Sequence, residues 1–125
     1  MDTNAVADII LATLGAIHAR TYRNEAPKSP TRPYIVFALA SATATDPSVD
    51  YYLNVDIFDA PHVSDRTIET LADTIQDALD NDVIRTAALN LHLTLEQRQY
   101  VSNTDLTTAQ MINLRFVVRA YFIGE

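Results

Sequence analysis

The sequence predicts an α+β fold, an antiparallel sheet of about four strands with two helices packed on one face, in the order α-β-β-α-β-β. Three observations carry this expectation. Apolar residues recur at helical spacing in two stretches, and apolar runs or alternations of strand length fill four others. The strands also arrive as two consecutive pairs, which suits hairpins better than parallel crossover units.

Each element has its own signal. In the first helix Asp2 or Thr3 can act as N-cap, Val6, Ile9, Ile10, Leu14 and Ile17 form one stripe, and Gly15 marks the expected end. From Ala16 to Arg32 the chain is expected to run extended, because Pro27, Pro30 and Pro33 fix φ and push their preceding residues out of the helical region. Pro33 belongs at the first position of a strand, where a missing donor costs least. Tyr34 to about Ala42 is almost continuously apolar, as in an inner strand covered on both faces over part of its length. The polar stretch "SATATDPSVD" reads as a loop, and Tyr51 to Asp59 as a second strand with Tyr51, Leu53, Val55 and Ile57 on its buried side. This pair is expected to be an antiparallel hairpin with a long tip.

After Ala60-Pro61 comes the clearest helix, with Ser64 as N-cap and Ile68, Leu71, Ile75 and Leu79 in one stripe. Its other face carries Glu69, Asp73, Asp77 and Asp80, and acids in the last turn oppose the helix dipole. That conflict suggests a partner for the acidic face. Two more strands are expected near Leu91 to Val101 and Gln110 to Ile123, joined by the polar turn "SNTDLTT". In the last strand Ile112, Leu114, Phe116, Val118, Ala120 and Phe122 form one row, and Asn113, Arg115, Val117, Arg119 and Tyr121 the opposite one.

Composition narrows the function. The 125 residues, 48% hydrophobic and 20% charged, suit a single domain spanning 1–125. Without cysteine there is no disulfide or thiolate chemistry. An acidic start "MDTNAVADII" and the absence of a long apolar run lead to the expectation of a soluble protein made in a cytosol, with no membrane partner. The net charge of −7 argues against general or sequence-specific nucleic-acid binding. Its distribution says more. From Ser41 to Asp82 ten acids face Arg66 alone, a balance of −9, whereas Arg20, Arg23, Lys28 and Arg32, offset by Glu25, leave +3 before the first long strand. Separate acidic and basic surfaces can pair between identical copies, although a solvated acidic face that aids solubility explains the same pattern.

No catalytic constellation is visible. His18, His62 and His92 fall in three different elements without metal-ligand spacing, and two glycines are too few for a phosphate-cradling loop. Asp56 and Asp59 sit at odd spacing, hence on opposite faces of a strand, as an exposed strand residue and a strand-end cap. Neither enzyme activity, a cofactor nor a metal is expected. The outward row of Arg115, Val117, Arg119 and Tyr121 fits an interface, or else a face covered by further chain or long side chains that simply snorkel.

The succession of an N-terminal helix, "TYRNEAP", "RPYIVF", "YLNVDIFDAP" and the acidic helix "DRTIETLADTIQDALDN" resembles the tail completion or tail terminator proteins of long-tailed bacteriophages. The resemblance covers most of the chain and is strongest from Tyr22 to Asp82. It implies a structural subunit of the virion, assembled in the host bacterial cytoplasm and located at the head-proximal neck of the tail. Such subunits form rings, usually homo-hexameric, that cap the tail tube protein, stop its polymerisation and present a surface to the head connector or head completion protein. DNA would pass through the ring.

Under this resemblance Arg20, Arg23, Lys28, Arg32, Glu69, Asp73, Asp77, Asp80, Arg115, Arg119 and Tyr121 are candidate subunit-interface residues. The basic connector of one copy would dock on the acidic helix of the next. Thr43, Thr45, Asp46, Ser48 and Asp50 in one loop, and Asn103 and Asp105 in another, are candidate contacts to the tube. Two alternatives stand beside this reading: another neck protein such as a head completion factor, and a small cytosolic ligand-binding or enzymatic domain.

Overall fold

Both expected hairpins form, but each carries a short strand on its outer side, so the sheet has six strands among the described residues instead of about four. The structure is a computed structural model and describes residues 2–28, 30–45, 47–60, 64–101 and 110–123. The elements are α1 (Thr3–Ile17), β1 (Thr21–Arg23), β2 (Tyr34–Thr45), β3 (Ser48–Asp59), α2 (Arg66–Leu79), β4 (Val83–Arg85), β5 (Leu89–Val101) and β6 (Gln110–Phe122). They lie across the sheet in the order β1-β2-β3-β6-β5-β4. Each half of the chain therefore supplies a helix, a three-residue edge strand and a long hairpin, and the halves meet at the β3–β6 pairing.

The expected order α-β-β-α-β-β is corrected in two places, and the sheet is not purely antiparallel. β1 pairs with β2 in parallel, Tyr22 opposite Val36. It lies within the stretch expected to be an extended connector. Backbone bonds from Ile35 to the Arg20 carbonyl (2.9 Å) and from Asn24 to the Phe37 carbonyl (2.7 Å) tie it to the sheet. The carbonyl of Pro33 is bound by the ring Nε2 of His18 at 2.8 Å and accepts from Nε of Arg20 at 3.0 Å. The proline segment is thus anchored where it re-enters the sheet. β4 follows a turn in which Asn81 takes φ 60°, a left-handed conformation that asparagine tolerates better than most residues.

Boundaries shift as well. α1 continues past Gly15 to Ile17, and the Asp2 side chain caps it by accepting from the Ala5 amide at 3.0 Å. Ser64 does not occupy the N-cap of α2; Asp65 does, without a side-chain cap bond. The largest revision concerns the stretch expected to be a loop. Ser41–Thr45 belongs to β2 and Ser48–Asp50 to β3, with Thr43 opposite Asp50 and Thr45 opposite Ser48, so the hairpin is tight. Thr43, Thr45 and Val49 are β-branched and favour a pleated surface, which outweighs the polar composition.

One face of the sheet holds the core. Ile35, Phe37, Leu53, Val55, Ile57, Leu91, Leu93, Ile112, Leu114, Phe116 and Val118 are all buried, and the strand register brings them into rows such as Leu53–Phe116 and Ile57–Ile112. Val6, Ala7, Ile10 and Leu14 of α1 and Ile68, Ala72, Ile75 and Leu79 of α2 close over them, so both helices pack on one face as expected. Each fully buried Leu, Ile or Phe contributes roughly 1.5–3 kcal/mol relative to exposure. No second layer covers the other face among the described residues. Among the β2 residues whose burial is described, Ile35 and Phe37 are buried, Val36, Ala38 and Leu39 are half-buried and Ala40 is exposed, so from Tyr34 to Ala40 the expected double coverage is not found.

Two register shifts interrupt the long strands. One lies between Ala40 and Ala42, the other between Leu95 and Gln97. A bulge inserts one residue and exchanges the faces of all that lie beyond it. Past Glu96 the even residues of β5 therefore point to the helices, and Arg98 sits opposite Leu114 on the core side.

Candidate functional site

The open sheet face is the candidate site, because it gathers polar and aromatic side chains from five strands without a covering layer. Strand register makes this arrangement: in β3 and β6 every second residue points away from the core, and the antiparallel pairing sets those residues side by side. Asp50 faces Arg119, Tyr52 faces Val117, Asn54 faces Arg115 and Asp56 faces Asn113.

Two arginines organise the β6 side of this face. Arg119 donates from Nε to Asp50 Oδ1 at 3.0 Å and from Nη2 to Oδ2 at 3.3 Å, a forked pair that leaves Arg119 half exposed. The Asp50 carboxylate first, and the Tyr121 oxygen after it, raise the guanidinium pKa further. Arg115 lies with its guanidinium carbon 4.0 Å from the centroid of the Tyr52 ring, a cation–π contact. Its Nε is 3.5 Å from Glu96 Oε1, close enough for ion pairing although no hydrogen bond satisfies that buried nitrogen. On β5, His92 meets Tyr121 edge to face with ring centroids 5.4 Å apart. His92, Thr94, Leu95, Glu96, Val117, Arg119 and Tyr121 line an open groove of about 530 Å³.

The opposite corner of the face is aromatic. Tyr34 stacks on Phe58 at 5.0 Å and 19°, and Tyr22 meets Tyr34 edge-on at 6.4 Å. Next to this cluster Asp56 Oδ1 accepts from the Asn113 amide at 2.6 Å. Burial pushes the Asp56 carboxyl pKa up, and the Asn113 bond offsets only part of that.

Of the residues expected at a subunit interface, Arg115, Arg119 and Tyr121 share this open face. The acids of α2 are largely used within the chain. Arg98 donates to Glu69 Oε2 and Asp73 Oδ1, both at 2.7 Å, and to Gln76 Oε1 at 3.0 Å. Asp80 Oδ1 accepts from the Leu95 amide at 2.8 Å, beside the bulge. Asp77 remains exposed. Among the expected basic residues, Arg20 is bound to Pro33 and Arg23 donates to Asn4 Oδ1 at 3.0 Å, while Lys28 and Arg32 are exposed. Thr43 is exposed near the hairpin end, Thr45 pairs with Ser48, Ser48 is buried, and Asp50 holds Arg119. Asp46, Asn103 and Asp105 lie outside the described residues, as does His62.

Sequence reasoning missed Tyr52, Glu96 and His92 as partners of the arginine row. In the sequence His92 and Glu96 alternate with Leu91, Leu93 and Leu95, and Tyr52 with Tyr51 and Leu53, which marks all three as outward, but which strand they would face depends on register. Among the described residues no group of three or more His, Asp and Glu side chains is placed to hold a metal ion, and no helix is long and apolar enough to cross a membrane.

Solved structures share this fold. A chain whose description names no function superposes with a TM-score of 0.72 at 12% identity, over 100% of this chain and 99% of that one. A chain from the virion of a native gene transfer agent particle superposes with a TM-score of 0.60 at 17% identity, over 88% of this chain and 85% of that one. At these identities the likeness is one of fold. No protein-family model matches the sequence, and no curated protein matches it.

Proposed function

We propose that the chain is a structural subunit of a phage-like virion, one that caps the completed tail tube as a ring and offers the joining surface to the head connector. The observation that carries this reading is the shared fold with a chain of a gene transfer agent virion over most of both chains. The open sheet face supports a role exercised by contact. Four of its charged groups are already paired with one another, Asp50 with Arg119 and Glu96 with Arg115, which suits a fixed docking surface better than acid–base chemistry.

Electron microscopy of the purified protein mixed with polymerised tail tubes tests the role. Density as one ring at a single tube end is the expected result, and it would also give the ring symmetry. A protein that leaves both ends bare removes the capping role, and binding to head connectors instead would move the subunit to another position in the neck.

A further inference from the structure

The open face builds one guanidinium site from the chain's own residues and then repeats the same ingredients without a cation. In the first, Arg115 lies over Tyr52 beside the Glu96 carboxylate. In the second, Asp56 stands one row from the stacked Tyr34 and Phe58, with Tyr22 edge-on to Tyr34. The carboxylate of Asp56 accepts from a neutral amide, that of Asn113, and no ion pair reaches it among the described residues.

A half-buried carboxylate without a counter-charge is costly, and bringing a cation to it recovers that cost. Flat aromatic rings beside it favour a guanidinium over an ammonium, because the planar group stacks while its edge donates to the carboxylate. We propose that the corner formed by Asp56, Phe58, Tyr34 and Tyr22 receives an arginine side chain from a second copy of this chain, and that Arg32 supplies it.

The donor follows from the charge distribution. Cations are scarce in a chain of net charge −7, and four of them lie between residues 20 and 32. Arg20 and Arg23 are committed to Pro33 and Asn4. Arg32 is exposed and takes part in no ion pair among the described residues. It also precedes Tyr34 by two residues, so donor and receptor share one corner of the sheet. Two copies related by a two-fold axis would exchange both contacts at once. This contact does not depend on the capping role, since it can form with no tube present.

The test is sedimentation equilibrium of the full chain and of Asp56→Asn and Arg32→Gln, with circular dichroism confirming that each variant folds. Wild type should associate reversibly, and each substitution should weaken association about tenfold or more. The double variant should associate no more weakly than either single one. A mixture of the two single variants should associate more tightly than either alone, because the mixed pair restores one contact. Wild type that stays monomeric at about 1 mM, a concentration that detects only contacts stronger than about 4 kcal/mol, overturns the second copy as occupant. Strictly additive losses, or a mixture no tighter than its parts, overturn the Arg32–Asp56 contact. Failure here with rings still seen on tube ends would leave the capping role standing.

Discussion

Arg98 on β5 and Glu69 on α2 meet at 2.7 Å although the alternation that begins at Leu91 assigns Arg98 to the opposite face of the sheet. The extra residue at Glu96 turns it round. With Asp73 and Gln76 also accepting from Arg98, one guanidinium holds three side chains of the helix, and a further tie, from the Leu95 amide to Asp80, lies just across the bulge.

Replacing Arg98 by Gln should therefore loosen α2 from the sheet. A largely covered arginine in a network with two carboxylates contributes more than an isolated surface pair, so a loss of about 1–2 kcal/mol is expected in urea denaturation. The loss should shrink in high salt, where screening weakens the pairs in the wild type. Equal stability of variant and wild type at low salt would show that the network adds nothing.

Inserting one alanine between Gln97 and Arg98 should be more damaging than a substitution at Glu96. The added residue pushes Arg98–Val101 on by one, which sends Arg98 to the open face and breaks its bonds to α2. We expect about 3 kcal/mol or more of destabilisation, against well under about 1 kcal/mol for Glu96→Gln, since Glu96 is exposed. Thermal melts of the two variants give the comparison, and similar melting temperatures would mean that β5 absorbs the insertion without changing faces.

Asp56 gives a pH signature. Its folded pKa is raised above the ordinary carboxyl value, first by burial, with the Asn113 bond opposing. Between the unfolded and the raised folded pKa the native state binds more protons than the unfolded one, so stability falls as pH rises through that window. Ionised Asp56 thus weakens the fold at neutral pH. Asp56→Asn should be as stable as wild type or more so at pH 7, and the difference should close as the pH falls below the ordinary carboxyl value. Urea midpoints of both proteins at the two pH values test it; a variant less stable at pH 7 contradicts the sign.

Phe116 is the control for the core. It is fully buried at the centre of β6, opposite Leu53 on one side and Leu95 on the other. Truncation to Ala should cost about 3–5 kcal/mol in chemical denaturation, more than any of the surface changes above. A cost below about 2 kcal/mol would mean that the neighbouring side chains collapse into the space.

Strong periodicity made most of the fold legible. In the stripe Ile68, Leu71, Ile75 and Leu79 all but the half-buried Leu71 are buried, and in the last strand's row Ile112, Leu114, Phe116, Val118 and Ala120 are buried while Phe122 is half-buried. The edge strands were not legible, because three residues such as Thr21–Arg23 or Val83–Arg85 carry no period and pair only where a long neighbour offers an edge. The bulge was hidden too, since Glu96 and Gln97 are both polar and give no sign of a change of face. For the candidate site, the outward row of Arg115, Arg119 and Tyr121 was readable from one strand. Its partners Asp50, Tyr52, Glu96 and His92 were not, because register across strands is a tertiary choice.

The meeting of the two halves at β3 and β6 also bears on how fast the molecule reaches its native state. Contacts across this seam, such as Asp56–Asn113 and Asp50–Arg119, join residues 57 and 69 positions apart, whereas Tyr100 and Gln110 within the β5–β6 hairpin are only ten apart. Closing a long loop costs entropy before any contact repays it, so the hairpins can form early while the seam waits. Docking of one half on the other is then the slow event, and side chains on that line govern the folding rate, while those on the outer edges govern chiefly how fast the finished structure comes apart.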